Sequence, residues 1–102
     1  MSSEVCGGWS ETLPCLHIQE IANKVKPQLE EKDKKPYPVF VAIQYRTQLV
    51  AGTNYLIKVS VSNSNDECVH LRVFQSLPYK KEEPSLTRYE TGKTRDDPLE
   101  PF

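Results

Sequence analysis

Val39-Phe40-Val41-Ala42-Ile43-Gln44-Tyr45-Arg46, then Thr47-Gln48-Leu49-Val50-Ala51-Gly52-Thr53-Asn54, then Tyr55-Leu56-Ile57-Lys58-Val59-Ser60-Val61: this stretch decides the fold. The first part is apolar and β-branched, with alternation in its second half. The last part sets Tyr55, Ile57, Val59 and Val61 on one face and Lys58 and Ser60 on the other. Two such runs joined by a short segment ending in glycine predict an antiparallel hairpin. Hairpin tips ordinarily carry Asn, Asp and Gly, which tolerate positive φ. This one carries Leu49, Val50 and Ala51. An apolar tip gives up solvation and gains nothing inside its own domain, so it points to a docked partner.

Working outward, Ile18, Ile21, Ala22, Val25 and Leu29 recur at the spacing of an amphipathic helix over about Ile18 to Glu31. Glu20 and Lys24 are spaced for an i, i+4 pair on its polar side. Pro27 removes one backbone hydrogen bond and predicts a bend. The Lys32-Asp33-Lys34-Lys35 run complements the negative end of the helix dipole, and Pro36 ends the helix. Before the helix, residues 1–14 hold Gly7, Gly8, Trp9 and Pro14 and read as a flexible, extended arm. Beyond the hairpin, Asn63-Ser64-Asn65-Asp66 is a turn by composition. A third strand, about Cys68 to Ser76, alternates Val69, Leu71 and Val73 against His70, Arg72 and Phe74. Leu77-Pro78-Tyr79 and the charged loop Lys80-Lys81-Glu82-Glu83-Pro84 lead to a last strand over about Leu86 to Thr91. A polar tail, 92–102, follows. One helix and a run of antiparallel strands make an α+β domain, with the helix stripe packed on one sheet face.

At 102 residues, with 37% hydrophobic and 26% charged residues, the chain suits a single soluble domain with one core. A net charge of -1 offers no basic footprint for nucleic acid or anionic membrane. No apolar run is long enough to cross a bilayer, and the N-terminus has neither the basic nor the apolar region of a signal peptide. Three cysteines make an incomplete disulfide framework and suit a reducing compartment, with the cytosol as the default address.

Chemistry-bearing constellations are sparse. Cys6-Gly7-Gly8-Trp9 superficially matches a cysteine-protease nucleophile motif. Such a nucleophile needs an imidazole and an oxyanion hole, and neither His17 nor His70 has a supporting motif, so the chain reads as no enzyme. Cys15-Leu16-His17 and Cys68-Val69-His70 miss the usual zinc spacings, so no metal or other cofactor is expected. Cys68 and His70 share one strand face that reads as partly exposed. Cys6, in a mobile arm, is a candidate for oxidative regulation, and Trp9 for contact with a partner or with the domain.

Gln48-Leu49-Val50-Ala51-Gly52 resembles the Gln-x-Val-x-Gly signature of the cystatin superfamily. Gly7 ahead of the helix, and Leu77-Pro78 after Val69 to Ser76, complete the frame. Without a signal peptide or disulfides, the chain is similar to the type 1 branch, the stefins, over nearly its whole length. The resemblance implies one helix wrapped by an antiparallel sheet of four to five strands, the cystatin fold. It also implies a reversible, tight-binding, competitive inhibitor of papain-like cysteine proteases (cathepsins of the B, H, L and S type). In that family an N-terminal arm and two hairpin loops form a wedge that occludes the active-site cleft. The protease-binding residues would be Val5, Cys6 and Gly7 on the non-primed side, Gln48, Leu49, Val50, Ala51 and Gly52 over the catalytic pair, and Leu77 and Pro78 on the primed side. A wedge of this kind would bury about 1,600 Å². Leu49, bulkier than the valine common in stefins, Trp9, and the Pro98-Leu99-Glu100-Pro101-Phe102 ending depart from the pattern. The address implied is the cytoplasm, with the nucleus as a second. The rival reading is a cystatin-fold scaffold that binds something other than a protease. Straightening a β-branched hinge at Leu49-Val50-Ala51 would further convert the monomer into a domain-swapped dimer lacking its first loop.

Overall fold

The computed structural model describes residues 2–5, 13–62, 67–100 and 102. Among them the chain forms β1 (Ser2–Val5), α1 (Leu13–Asp33), β2 (Val41–Val50), β3 (Gly52–Ser60), β4 (Cys68–Gln75), a 3-10 turn (Pro78–Lys80) and β5 (Ser85–Lys93). The strands make one antiparallel sheet in the order β1-β2-β3-β4-β5. From β2 to β5 consecutive strands are neighbours in a meander whose register the hairpins set, whereas β1 joins β2 from the far side of α1 in the chain.

The helix stripe packs as its periodicity predicts. Ile18, Ile21, Ala22, Val25 and Leu29 are all buried, against Tyr45, Tyr55, Ile57, Val59, Val69, Leu71 and Val73 of the sheet. Burying each large aliphatic side chain stabilises by about 1.5–3 kcal/mol, and this face carries most of that gain. Two glutamines fasten the helix to the sheet on either side. Gln19 donates to the Phe40 carbonyl (3.1 Å) and accepts from Ala42 N–H (2.8 Å). Gln28 donates to the Pro84 carbonyl (3.2 Å) and accepts from Leu86 N–H (2.9 Å). The helix runs through Pro27, which lies on the solvent side, where the carbonyl it leaves unpartnered can take water. It closes at Asp33 with Lys34 in the left-handed region (φ 58°). The Tyr37 hydroxyl then donates to Asp33, and burial followed by this contact pushes the Tyr37 phenol upward. Lys24 meets Glu83 (3.4 Å), in the loop before β5, where the spacing alone suggested Glu20.

Three expectations change. Within the N-terminal arm, Ser2–Val5 is a strand paired with Gln44 to Thr47, and the helix already begins at Leu13. The hydrogen bonds that β2 offers at its outer edge explain the first of these. The last strand, expected to end near Thr91, extends to Lys93, and Leu99 of the polar tail is buried. Cys68 and His70, expected to be partly exposed, are each 1% exposed, because the tail covers their face of the sheet. The turn expected at Asn63 to Asp66 lies outside the described residues, flanked by a Val61 N–H to Glu67 carbonyl bond of 3.1 Å.

Candidate functional site

Antiparallel pairing brings two loops to one end of the sheet. The β2–β3 tip stands at the start of β3, and Thr53 pairs with Gln75 at the end of β4, so the β4–β5 loop (76–84) rises beside it. The start of the helix reaches the same end, where the His17 ring meets the edge of Tyr55 at 6.4 Å between centroids.

The first loop is a tight one. Leu49 pairs with Thr53 and Val50 with Gly52, which leaves Ala51 as the only residue between the strands. Among the described residues of this hairpin, only Gly52 has positive φ (127°), so the glycine takes the strain that Leu49 and Ala51 would otherwise bear. A Cβ at Gly52 would also lie 2.6 Å from the Gln75 carbonyl oxygen and 2.7 Å from the Phe74 ring. Gly52 thus lets the end of β4 close directly over the first loop. Leu49 is left 83% exposed, and the Asn54 amide donates to Gln48 Oε1 across the hairpin at 3.4 Å.

The second loop is held as firmly. Lys80 N–H donates to the Leu77 carbonyl (3.0 Å), closing the 3-10 turn. Lys81 takes a left-handed φ of 52°, and the Gln75 amide donates to the Glu82 carbonyl (2.8 Å). Residue 75 therefore touches both loops: its carbonyl abuts Gly52 and its side chain anchors the far limb of the second loop. Leu77 is half-buried, whereas Tyr79 stands 75% exposed on this fixed turn.

Gln48, Leu49, Ala51, Gly52 and Leu77 thus gather at one end with the backbone of Val50 and Pro78. Val5 does not join them closely. It pairs with Gln44, so β1 runs away from the tip, and Cys6 and Gly7 lie outside the described residues, as does Trp9. Sequence reasoning passed over Tyr79 and Phe74. The signal for Tyr79 was present, as an aromatic beside Leu-Pro in a loop with no core position to fill. Nothing in the pattern marked Phe74 as the neighbour of Gly52. Among the described residues no three His, Cys, Asp or Glu side chains gather as a metal site.

A cystatin domain pattern matches residues 7–96. The chain belongs to the cystatin family. It is 55% identical to leukocyte cysteine proteinase inhibitor 1 of Sus scrofa over the full length of both chains. Cystatin-B of Bos taurus is 52% identical, covering 96% of this chain and 99% of its own. Stefin-C of Bos taurus is also 52% identical, covering 94% of each. These full-length relatives place it in the type 1, stefin, branch of the cystatins, a family of inhibitors rather than enzymes. Among the described residues of this cystatin, no helix is long and apolar enough to cross a membrane.

Proposed function

We propose that the chain is a reversible, tight-binding, competitive inhibitor of papain-like cysteine proteases, which enters the active-site cleft with its paired loops and occludes it. The observation that carries this is the rigid two-loop end, where an exposed Leu49 and an exposed Tyr79 are mounted on backbones locked together at Gly52 and Gln75. Large apolar side chains on preformed loops lose little conformational freedom on binding, the usual origin of high affinity from a small contact. Occlusion requires no peptide bond at the protease nucleophile, so no covalent intermediate forms. Membership of a family whose relatives include a named cysteine proteinase inhibitor supports the same reading.

In this reading Gln48 to Gly52 lie over the catalytic cysteine and histidine, and Leu77 and Pro78 on the primed side, with Tyr79 extending that contact. Val5, Cys6 and Gly7 lie along the non-primed side, once the arm leaves its pairing with β2. Cathepsin-type enzymes are the expected targets, the monomer is the active form, and the cytoplasm the expected address.

Titration of papain with the purified monomer tests the proposal. A sharp 1:1 endpoint that reverses on competition is expected. Full papain activity in the presence of excess folded monomer overturns it and leaves the protein-interaction scaffold. Removing residues 1–7 is expected to raise the dissociation rate more than it lowers the association rate, since an arm anchors more than it steers.

A further inference from the structure

The sheet face turned away from the helix holds Leu56, Lys58 and Ser60 of β3 and Cys68, His70 and Arg72 of β4, all but Arg72 buried. The chain after β5 lies across it. Lys58 Nζ donates to the carbonyls of Arg95 (2.7 Å) and Asp97. Arg46 Nη1 donates to the Leu99 carbonyl (2.9 Å), and Arg72 Nη1 to a Phe102 oxygen (2.6 Å). Leu99, within this strap, is 3% exposed. Lys58 and His70 are direct partners in the β3–β4 register, each 1% exposed. The His70 Nε2 is buried without a hydrogen-bond partner.

We propose that residues 94–100, with Phe102, form a clasp that acid releases, with His70 as the trigger beneath it. The closed clasp places an imidazole beside an ammonium in a site shut off from water. A proton taken up by His70 sets two cations together there. Lys93 of β5 adds a third positive charge, and only Glu90 of β5 and Asp97 of the strap oppose them. On β2 the residue level with Lys58 is the uncharged Gln44, and on β4 Cys68 brings only its thiol near Lys58. Arg95 and Asp96 flank Lys58 from the strap and offset one another. Lifting the strap admits water to the pocket and relieves the repulsion, whereas the helix face contributes nothing to this balance and stays packed.

Desolvation first, and Lys58 and Lys93 after it, hold His70 down to about 4 from its usual 6.5. With the bound-state value depressed, the closed clasp is fully favoured above 6.5 and loses ground as the pH falls toward 4. The open fraction rises about ten-fold for each pH unit in that window. Asp97 does not compete: its carboxylate accepts Thr94 N–H (2.7 Å), which holds its carboxyl below the usual range, so it stays ionised. The clasp lies on the sheet face and does not depend on what the loops bind.

Amide NMR with hydrogen exchange, from pH 7 to pH 4, tests it. Amides of residues 94–100 and Phe102 are expected to shift and lose protection with a midpoint between 4 and 6.5, while Val25, Ile57 and Leu71 stay protected. His70→Gln is expected to keep the strap closed throughout. Lys93→Gln, which removes a cation facing His70 without touching the core, is expected to move the midpoint to lower pH, because the closed clasp then tolerates the protonated imidazole better. Simultaneous loss of strap and core protection in the natural sequence, or a strap that stays closed to pH 4, overturns the proposal. So does release in His70→Gln matching the natural sequence. Should that variant fail to fold, an unmoved midpoint in Lys93→Gln is the overturning result.

Discussion

The two faces of this sheet are covered by opposite kinds of chemistry. On one, a helix lays five aliphatic side chains on the valines, isoleucine, leucine and tyrosines of the strands, with no direction required of any contact. On the other, a single irregular segment, turned over Thr94 to Asp97, is held by Lys58, Arg46 and Arg72, each directed at a backbone oxygen. Apolar burial scales with area and responds weakly to pH, whereas buried donors and charges depend on partners and on protonation. The helix face should therefore decide whether the protein folds, and the strap face how it responds to its surroundings.

The largest effect expected is from Leu71→Ala on the helix face. The residue is fully buried, and truncation should remove about 2–5 kcal/mol, read by urea denaturation. Deleting residues 94–102 should leave a cooperatively folding protein with a smaller loss; a deletion as damaging as Leu71→Ala breaks the contrast between the faces. Gly52→Ala should come next, at about 1–3 kcal/mol, since the new Cβ meets the Gln75 carbonyl and the backbone is left-handed. Because the clash is with β4, inhibition of papain should weaken through both loops, and a second-loop variant such as Tyr79→Ala should add less in that background than alone. Lys58→Met should shift global stability by about 1 kcal/mol or less while freeing the strap amides to exchange, sharpening the division. Lys24→Ala, which removes an exposed pair with Glu83, should change stability by less than about 0.5 kcal/mol.

The hairpin, the helix stripe and the third strand were legible in the sequence, because alternation and helical spacing report directly on which residues face a core. The gathering of both loops at one end follows from antiparallel order. Lys58, Ser60 and His70 misled for the same reason that the strands were readable: alternation assigns polar residues to a solvent face. Only the non-local path of residues 94–100 makes that face a second interior. Leu99 and Phe102, apolar residues in a polar tail, were the local hints. Tyr79 was visible as an aromatic without a core partner. Phe74, by contrast, acquires its role only when Gly52 is brought beneath it.

The four-residue β1 has a further consequence. It occupies the outer edge of β2, a ten-residue strand that includes Val41, Tyr45, Leu49 and Val50, whereas the opposite edge, β5, is guarded by Arg88, Glu90 and Lys93. Loss of Ser2 to Val5, by proteolysis or by recruitment of the N-terminus elsewhere, would unpair the outer edge of β2 from Gln44 to Thr47. Such an edge templates addition of strands from other molecules. The N-terminal residues of this small domain thus also guard its solubility, and trimmed preparations should be stored dilute.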